Sequence, residues 1–226
     1  IPVSAEEQTI DIQVLGTSDI HNKFQAWDYA TDSSSTSGSL AQLATIIKDL
    51  REANPNTILV DNGDTLQGNS SMIFVEDELH PMIKAMNSLK YDSLSVGNHE
   101  FNYGMDFIER FKKAADFPIL IGNVYNDATN ERIGEPYVIK EIEGVKVGII
   151  GLVTPHITKW DGPNLKGHTV TNPVEEGKKI ADELRPQVDI MIATFHASVD
   201  GEYGNGDSAR ELAKAVPDLV AILAGH

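Results

Sequence analysis

The chain has 226 residues, no cysteine, and 18 basic against 34 acidic residues, a formal net charge of −16. Disulfides and thiolate metal sites are therefore excluded, and polyanionic partners such as nucleic acid polymers or acidic lipid surfaces are not expected. No apolar run approaches the roughly 18 residues of a membrane span, so no membrane insertion is expected.

The chain opens at Ile1 without a charged-then-apolar leader, and we expect any secretory signal to have been removed or to lie outside this sequence. Ile10, Ile12 and Val14 alternate with polar residues and predict a strand. Thr31 to Ser39 is a polar, low-complexity stretch expected to be a mobile loop. Leu40, Leu43, Ile47 and Leu50 recur at helical spacing, and Pro55 closes that segment. Thr57 to Val60 reads as a short strand, and Met82 to Leu89 as a helix with Pro81 in its first turn. A strand at Asp92 to Val96, a helix at Met105 to Ala115 and a strand at Pro118 to Ile121 follow. Tyr137 to Ile142 and Val145 to Val153 flank Glu143-Gly144, the signature of a hairpin. Val174 to Leu184 predicts a helix ended by Pro186, leading into a strand at Val188 to Phe195. Asp207 to Val216 reads as helical and Leu219 to Leu223 as the last strand. The alternation implies a layered α/β domain with mixed strands.

Polar residues fall at the ends of those strands. Asp19 and His21 follow the first, and Asp61 and Asp64 the second. Asn98, His99 and Glu100 follow the third, while His196 and His226 each follow a later one. Ligand sites in layered α/β proteins gather beyond the carboxyl ends of strands, so these residues are placed to converge. Each also has an ordinary explanation: a turn at Asp61-Asn62-Gly63-Asp64, a helix start with Asn98 as cap, a buried histidine at 196. Together they make a mixed nitrogen and oxygen donor set suited to Mn, Fe, Zn or a similar divalent ion. With so negative a chain, bound cations rather than lysine and arginine would attract an anionic substrate.

The motifs SDIH (Ser18–His21), GDxxQG (Gly63–Gly68) and GNHE (Gly97–Glu100), the strand-end His196 and the final Gly225-His226 resemble the calcineurin-like metallophosphoesterases. More narrowly they are similar to the secreted 5′-nucleotidase and cyclic-nucleotide phosphodiesterase group. The resemblance runs from Ile10 to His226. It implies an α/β fold of two stacked mixed β-sheets flanked by helices, and a site with two divalent metal ions. Carried over by motif, Asp19 and His21 would bind the first metal, Asp64 would bridge, and Asn98, His196 and His226 would bind the second. His99 would face the substrate phosphate and stabilise or protonate the leaving oxygen in an in-line displacement.

Two departures from the family pattern matter. Many 5′-nucleotidases carry Asp three residues after the catalytic histidine, and here that residue is Asn102. The Asn form resembles the branch acting on 2′,3′-cyclic nucleotides and 3′-nucleotides. The sequence also stops at the first histidine of a Gly-His-x-His or Gly-His-x-Gln motif. One metallophosphoesterase domain is therefore expected over residues 1–226, cut short at its end. A C-terminal, base-binding domain of the parent protein is expected beyond it.

The resemblance thus implies a 2′,3′-cyclic-nucleotide phosphodiesterase and 3′-nucleotidase acting on a nucleotide or cyclic nucleotide, secreted, periplasmic or associated with the cell wall. A 5′-nucleotidase, a UDP-sugar hydrolase, a thiosulfate-ester hydrolase and a non-catalytic binding domain are its alternatives. His80 is expected at the surface, His168 in a polar loop without a role, and His156 at a pocket rim. Gly201 to Asp207 is expected to form a mobile flap, and Asn69 fits a glycosylation acceptor whose closeness to Asp64 argues against modification.

Overall fold

The computed structural model describes residues 9–36, 38–204 and 206–226; Ile1–Gln8, Ser37 of the polar loop and Asn205 of the expected flap lie outside them. In chain order come β1 (Gln13–Thr17), β2 (Trp27–Asp28), β3 (Ser33–Ser34), α1 (Leu40–Ala53), β4 (Thr57–Asp61) and α2 (Pro81–Ser88). Next are β5 (Ser93–Ser95), α3 (Met105–Ala114), β6 (Ile119–Leu120), β7 (Val124–Asn126), β8 (Glu131–Arg132) and β9 (Tyr137–Ile142). The rest of the chain adds β10 (Val145–Val153), α4 (Ile157–Trp160), β11 (His168–Val170), α5 (Pro173–Leu184), β12 (Ile190–His196), α6 (Ala209–Ala215) and β13 (Leu219–Ala224).

Two four-stranded sheets form the frame. The first has the order β1-β4-β5-β6 and is parallel throughout. The second, β13-β12-β10-β9, is parallel except for β9, which pairs antiparallel with β10 across the Glu143-Gly144 turn. Strand mixing is thus confined to the second sheet. The faces meet over Ile58, Val60, Leu120, Val147, Ile149 and Ile192, all buried. Ser95 and Thr194 share a hydroxyl–hydroxyl hydrogen bond of 2.5 Å between the layers. Because β4 and β10 are covered on both faces, they read as continuous apolar runs rather than alternating ones.

Helices close the outer faces. α1, α2 and α3 bury Leu40, Ile47, Met82, Ile83, Met86, Phe107 and Phe111 over the first sheet. α5 and α6 bury Ile180, Leu184 and Leu212 over the second. Their starts are set by side chains that satisfy orphan N–H groups. Ser39 accepts from Gln42, Asn172 from Val174 and Glu175, and Ser208 from Glu211.

The cap of α2 corrects an expectation. His80 is buried, not at the surface: its Nδ1 accepts the Met82 N–H at 3.2 Å and its Nε2 meets the Ser71 carbonyl at 3.1 Å. Nε2 is then the donor of the pair, and burial holds the ring's pKa below its ordinary value. Histidine is an uncommon cap, so the residue type gave no hint of this role.

Candidate metal centre

The carboxyl ends of β1, β4, β5, β12 and β13 lie at one edge of the stacked sheets, and the loops beyond them are laced together. Asp19 N–H donates to the Gly63 carbonyl, His21 N–H to Asp64, and Asn22 N–H to Thr65, each at 2.8 to 2.9 Å. This run puts the Ser18–His21 motif alongside the Gly63–Gly68 motif. Asp19, His21, Asn22, Asp64 and His226 all adopt positive φ, a conformation that costs non-glycine residues energy and that concentrates at functional sites.

Two carboxylates without an assigned role organise the loops from beneath. Glu100 is fully buried, and its carboxylate accepts the N–H groups of Asp64, Thr65, Leu66 and Gly97 at 2.7 to 2.9 Å. It locks the loop after β4 to the loop after β5. Asp61 accepts from Gly63 N–H, Thr65 Oγ1 and Thr17 Oγ1. The turn reading of the Asp61–Asp64 segment therefore holds for Asp61, while Asp64 is free to face the site. Burial pushes the Asp61 carboxyl up to about 7, against its hydrogen bonds from Thr17, Thr65 and Gly63. Burial and the charge of Asp64 push Glu100 upward as well.

On that base the candidate ligands form two groups that share one residue. Donor atoms of Asp19, His21 and Asp64 lie within 4.8 Å of one another, as do those of Asp64, His196 and His226. His21 Nδ1 is held 3.0 Å from Gln67 Oε1, which fixes Nδ1 as the donor and leaves Nε2 as the ligand nitrogen. His196 is held in the same way, with Nδ1 donating to the Asn62 carbonyl at 2.6 Å.

Three donor atoms test whether a cation suits the place. His196 Nε2 is 3.1 Å from Asp64 Oδ2 yet lacks hydrogen-bond alignment, and among the described residues it is buried without a hydrogen-bond partner. Asn98 Oδ1 is likewise buried and unpartnered, and its side chain makes no capping bond, so the helix-cap reading of Asn98 fails. Buried polar atoms left unpaired cost about 1–3 kcal/mol each, and a shared ion would satisfy both. Among the described residues, Asp64 Oδ1 accepts only the His99 N–H, at 2.8 Å. Burial works against a charged His196, but the Asp64 carboxylate beside it outweighs that and lifts the ring to about 9. The donor set fits a divalent ion.

At two glycines the approach is too close for any side chain. A Cβ on Gly97 would stand 2.2 Å from Asp64 Oδ1 and 2.8 Å from His196 Cε1. One on Gly225 would stand 2.2 Å from Ser18 Oγ and 2.9 Å from Asp19 Oδ2.

His99 lies at the mouth, its ring centroid 5.3 Å from that of His21. Its Nδ1 is 2.7 Å from Asn102 Oδ1. His226 packs between His196 and Trp160, with centroids 5.3 and 5.2 Å away, and its Nε2 lies 3.0 Å from Glu202 Oε1. His156 does reach this rim: its ring lies 4.7 Å from that of Tyr203, and Nε2 sits 2.7 Å from Asp207 Oδ2. The same Asp207 carboxylate accepts the N–H groups of Glu202, Tyr203 and Gly204, so the segment expected to be a mobile flap is tied down in its described part. Asn69 donates its amide hydrogen to the His21 carbonyl at 2.7 Å, so it braces the site rather than standing free as an acceptor for sugar.

Every site residue named from the sequence is thus at this edge. Sequence reasoning placed Asp61 and Glu100 at the strand ends but missed their role, and it missed that of Gln67; all three act on neighbours rather than facing the opening. Gln67 and Glu100 lie inside the motifs already quoted, which was the available signal.

The family model described as calcineurin-like phosphoesterase matches residues 12–226. The trifunctional nucleotide phosphoesterase protein YfkN of Bacillus subtilis is 37% identical over all of this chain and 17% of its own length. Its crystal structure superposes with a TM-score of 0.87 at 38% identity, covering 95% of this chain and 71% of that one. The 2′,3′-cyclic-nucleotide 2′-phosphodiesterase/3′-nucleotidase of Salmonella typhimurium is 31% identical over all of this chain and 38% of its own. A 5′-nucleotidase of Vibrio cholerae is also 31% identical, over 97% of this chain and 40% of its own. The chain therefore spans well under half the length of these curated relatives. Among the described residues, no helix is long and apolar enough to cross a membrane.

Proposed function

The chain belongs to the calcineurin-like phosphoesterase family, whose members use divalent metal, and on that premise we propose that it is the metal-binding domain of a 2′,3′-cyclic-nucleotide 2′-phosphodiesterase and 3′-nucleotidase. The observation that carries the metal reading is the pair of buried, unpartnered donors, Asn98 Oδ1 and His196 Nε2, beside Asp64. Asp19, His21 and Asp64 would hold one ion, and Asp64, Asn98, His196 and His226 a second, with Mn, Fe or Zn matching the donors. Such ions, when bound, supply the positive charge that stabilises phosphoryl oxygens during displacement.

The protein's own groups do the rest. His99 is fixed at its backbone by Asp64 and at its ring by Asn102, and its Nε2 would hold the proton destined for the leaving oxygen. Asp64 anchors His99 and would also hold the ions, so one side chain would place both ion and proton donor. Glu100 keeps that side chain's loop in place.

For the substrate, Asn102 at the ring of His99 and the names of the Bacillus and Salmonella relatives support nucleotides, cyclic ones first. A 5′-nucleotidase is the second reading, which the Vibrio relative favours. The relatives are longer than this chain, and on this reading a further domain would bind the base and the protein would be exported from the cytoplasm. Side-by-side turnover of 2′,3′-cyclic AMP and 5′-AMP by the full-length protein with Mn²⁺ tests it. The expected result is faster turnover of the cyclic ester; a large preference for 5′-AMP overturns the substrate assignment.

A further inference from the structure

Asn102 has two ends, and each meets a different group. Its Oδ1 lies 2.7 Å from His99 Nδ1, and its Nδ2 donates to Asp161 Oδ1 at 3.0 Å. Residues three apart eclipse one another on the 3₁₀ segment His99–Tyr103, which explains the first contact. The second is long-range: Asp161 ends α4 and opens a 3₁₀ turn, Gly162–Leu165, docked against His99–Tyr103. Asn164 clamps the two by donating to the carbonyls of Phe101 and Asn102, at 2.9 and 3.1 Å. Asp161 is 7% exposed, and its other oxygen, Oδ2, is buried without a hydrogen-bond partner among the described residues. A buried carboxylate with so little to hold it is costly, and capping alone does not require one.

We infer that Asp161 is a positioning residue that sets the tautomer of His99 through the amide of Asn102. A carboxylate only accepts hydrogen bonds, so it must face the NH₂ end of the amide. The carbonyl end then faces His99, and Nδ1 must carry a proton to bond with it. The neutral ring therefore keeps its lone pair on Nε2, and the proton gained there is the one delivered to the leaving oxygen. After transfer the ring returns to the Nδ1–H form. Without the carboxylate, the amide is able to rotate, offer its NH₂ to Nδ1 and put the proton on the wrong nitrogen. The negative charge missing at position 102 is thus supplied one hydrogen bond further out, by a residue 59 positions along the chain.

The inference rests on the proposed role of His99, and the test separates the two. In full-length, metal-loaded protein, Asp161→Asn is expected to lower kcat about tenfold with KM nearly unchanged, the scale on which groups orienting a site histidine act. A p-nitrophenyl phosphodiester, whose leaving oxygen needs no proton, should lose far less. Asn102→Asp alone should also be slow, because two carboxylates then face each other. The exchanged pair Asn102→Asp/Asp161→Asn restores the donor–acceptor order and should recover to within about threefold of the parent. Nitrogen-15 NMR of the zinc-loaded protein, with His99→Ala for assignment, should show the Nδ1–H form, lost in Asp161→Asn. Parental kcat in Asp161→Asn, an exchanged pair no faster than the single variants, or an unchanged tautomer would each overturn the inference. Failure of cyclic nucleotides as substrates would strike only the functional reading, since the NMR signal needs no substrate.

Discussion

Gly97 shows how little slack the metal centre has. Adding one methyl group would press on Asp64 Oδ1, on the Asp64 backbone nitrogen and on His196 at once, all closer than 3.0 Å. All three belong to candidate ligand residues, and the backbone atom has nowhere to go. Gly97→Ala should therefore weaken Mn²⁺ binding at least tenfold while far-ultraviolet circular dichroism stays that of the parent. Calorimetric titration with Mn²⁺ gives the affinity, and an unchanged affinity would mean that Asp64 is not at the metal. At this scale the sequence was legible where a residue's own type carried chemistry. Asp19, His21, Asp64, Asn98, His99 and His196 each stand at a strand end beside glycine or a polar neighbour. Glu100 was not legible in the same way. An acid one residue after His99 reads as a favourable first-turn charge, and nothing local reveals that its partners are N–H groups 34 to 36 positions upstream. Asp161 is hidden for the same reason, since its partner is defined only by tertiary contact.

Among the elements, the long apolar ones follow their periodicity closely. The hairpin across Glu143-Gly144 registers Val145 with Ile142 as its turn chemistry demands, and β10 covers the full predicted Val145–Val153. β1 begins at Gln13, three residues later than the alternation suggested, because its ladder starts only where Thr57 of β4 is available. α6 starts at Ala209 rather than Asp207, because Asp207 turns back to the 202–204 loop and Ser208 takes the cap. β7, β8 and β11 went unread: two or three residues give no periodicity. Beside the packing of Val124 into the core, Glu176 of α5 ties their small sheet to the body: it is buried and accepts from Tyr125 of β7 and from Arg132 of β8 at 2.6 Å. Burial alone would raise its pKa, but the bonds from Tyr125, Arg132 and Lys179 prevail and hold it below its ordinary 4.5. A depressed carboxyl stabilises the fold above its unfolded pKa and loses that contribution as pH falls through the folded one. Glu176→Gln should cost about 2 kcal/mol at pH 7, the worth of hydrogen bonds to a charged group. The gap between variant and parent in urea denaturation should close as the buffer is taken well below pH 4.5. A gap that stays constant with pH would show that packing, not charge, is what the substitution removed.

For the whole molecule, periodicity gave a layered α/β domain, whereas the stacking of two sheets came from the family resemblance, since no local pattern says which sheet faces which. The fold brings Asp19, Asp61, Asp64 and Glu100 to one edge of a chain whose net charge is already −16. Their mutual repulsion is visible in the upward push that Glu100 gives Asp61 and Asp64 gives Glu100. A cation held at Asp64 would relieve it, and the relief should register as stability. At a free Mn²⁺ concentration 100 times the dissociation constant, binding to the folded state adds about 2.7 kcal/mol. For a domain of this size that is a rise in Tm of about 5–10 °C. Simple screening of the negative surface would also stabilise, but sodium chloride at matched ionic strength reaches buried charges poorly. Scanning calorimetry should therefore show a Mn²⁺ shift several times the salt shift, reversed by a chelator and reduced in His196→Ala. Equal shifts with Mn²⁺ and with salt would mean that these strand ends carry a general acidic patch and hold no specific ion.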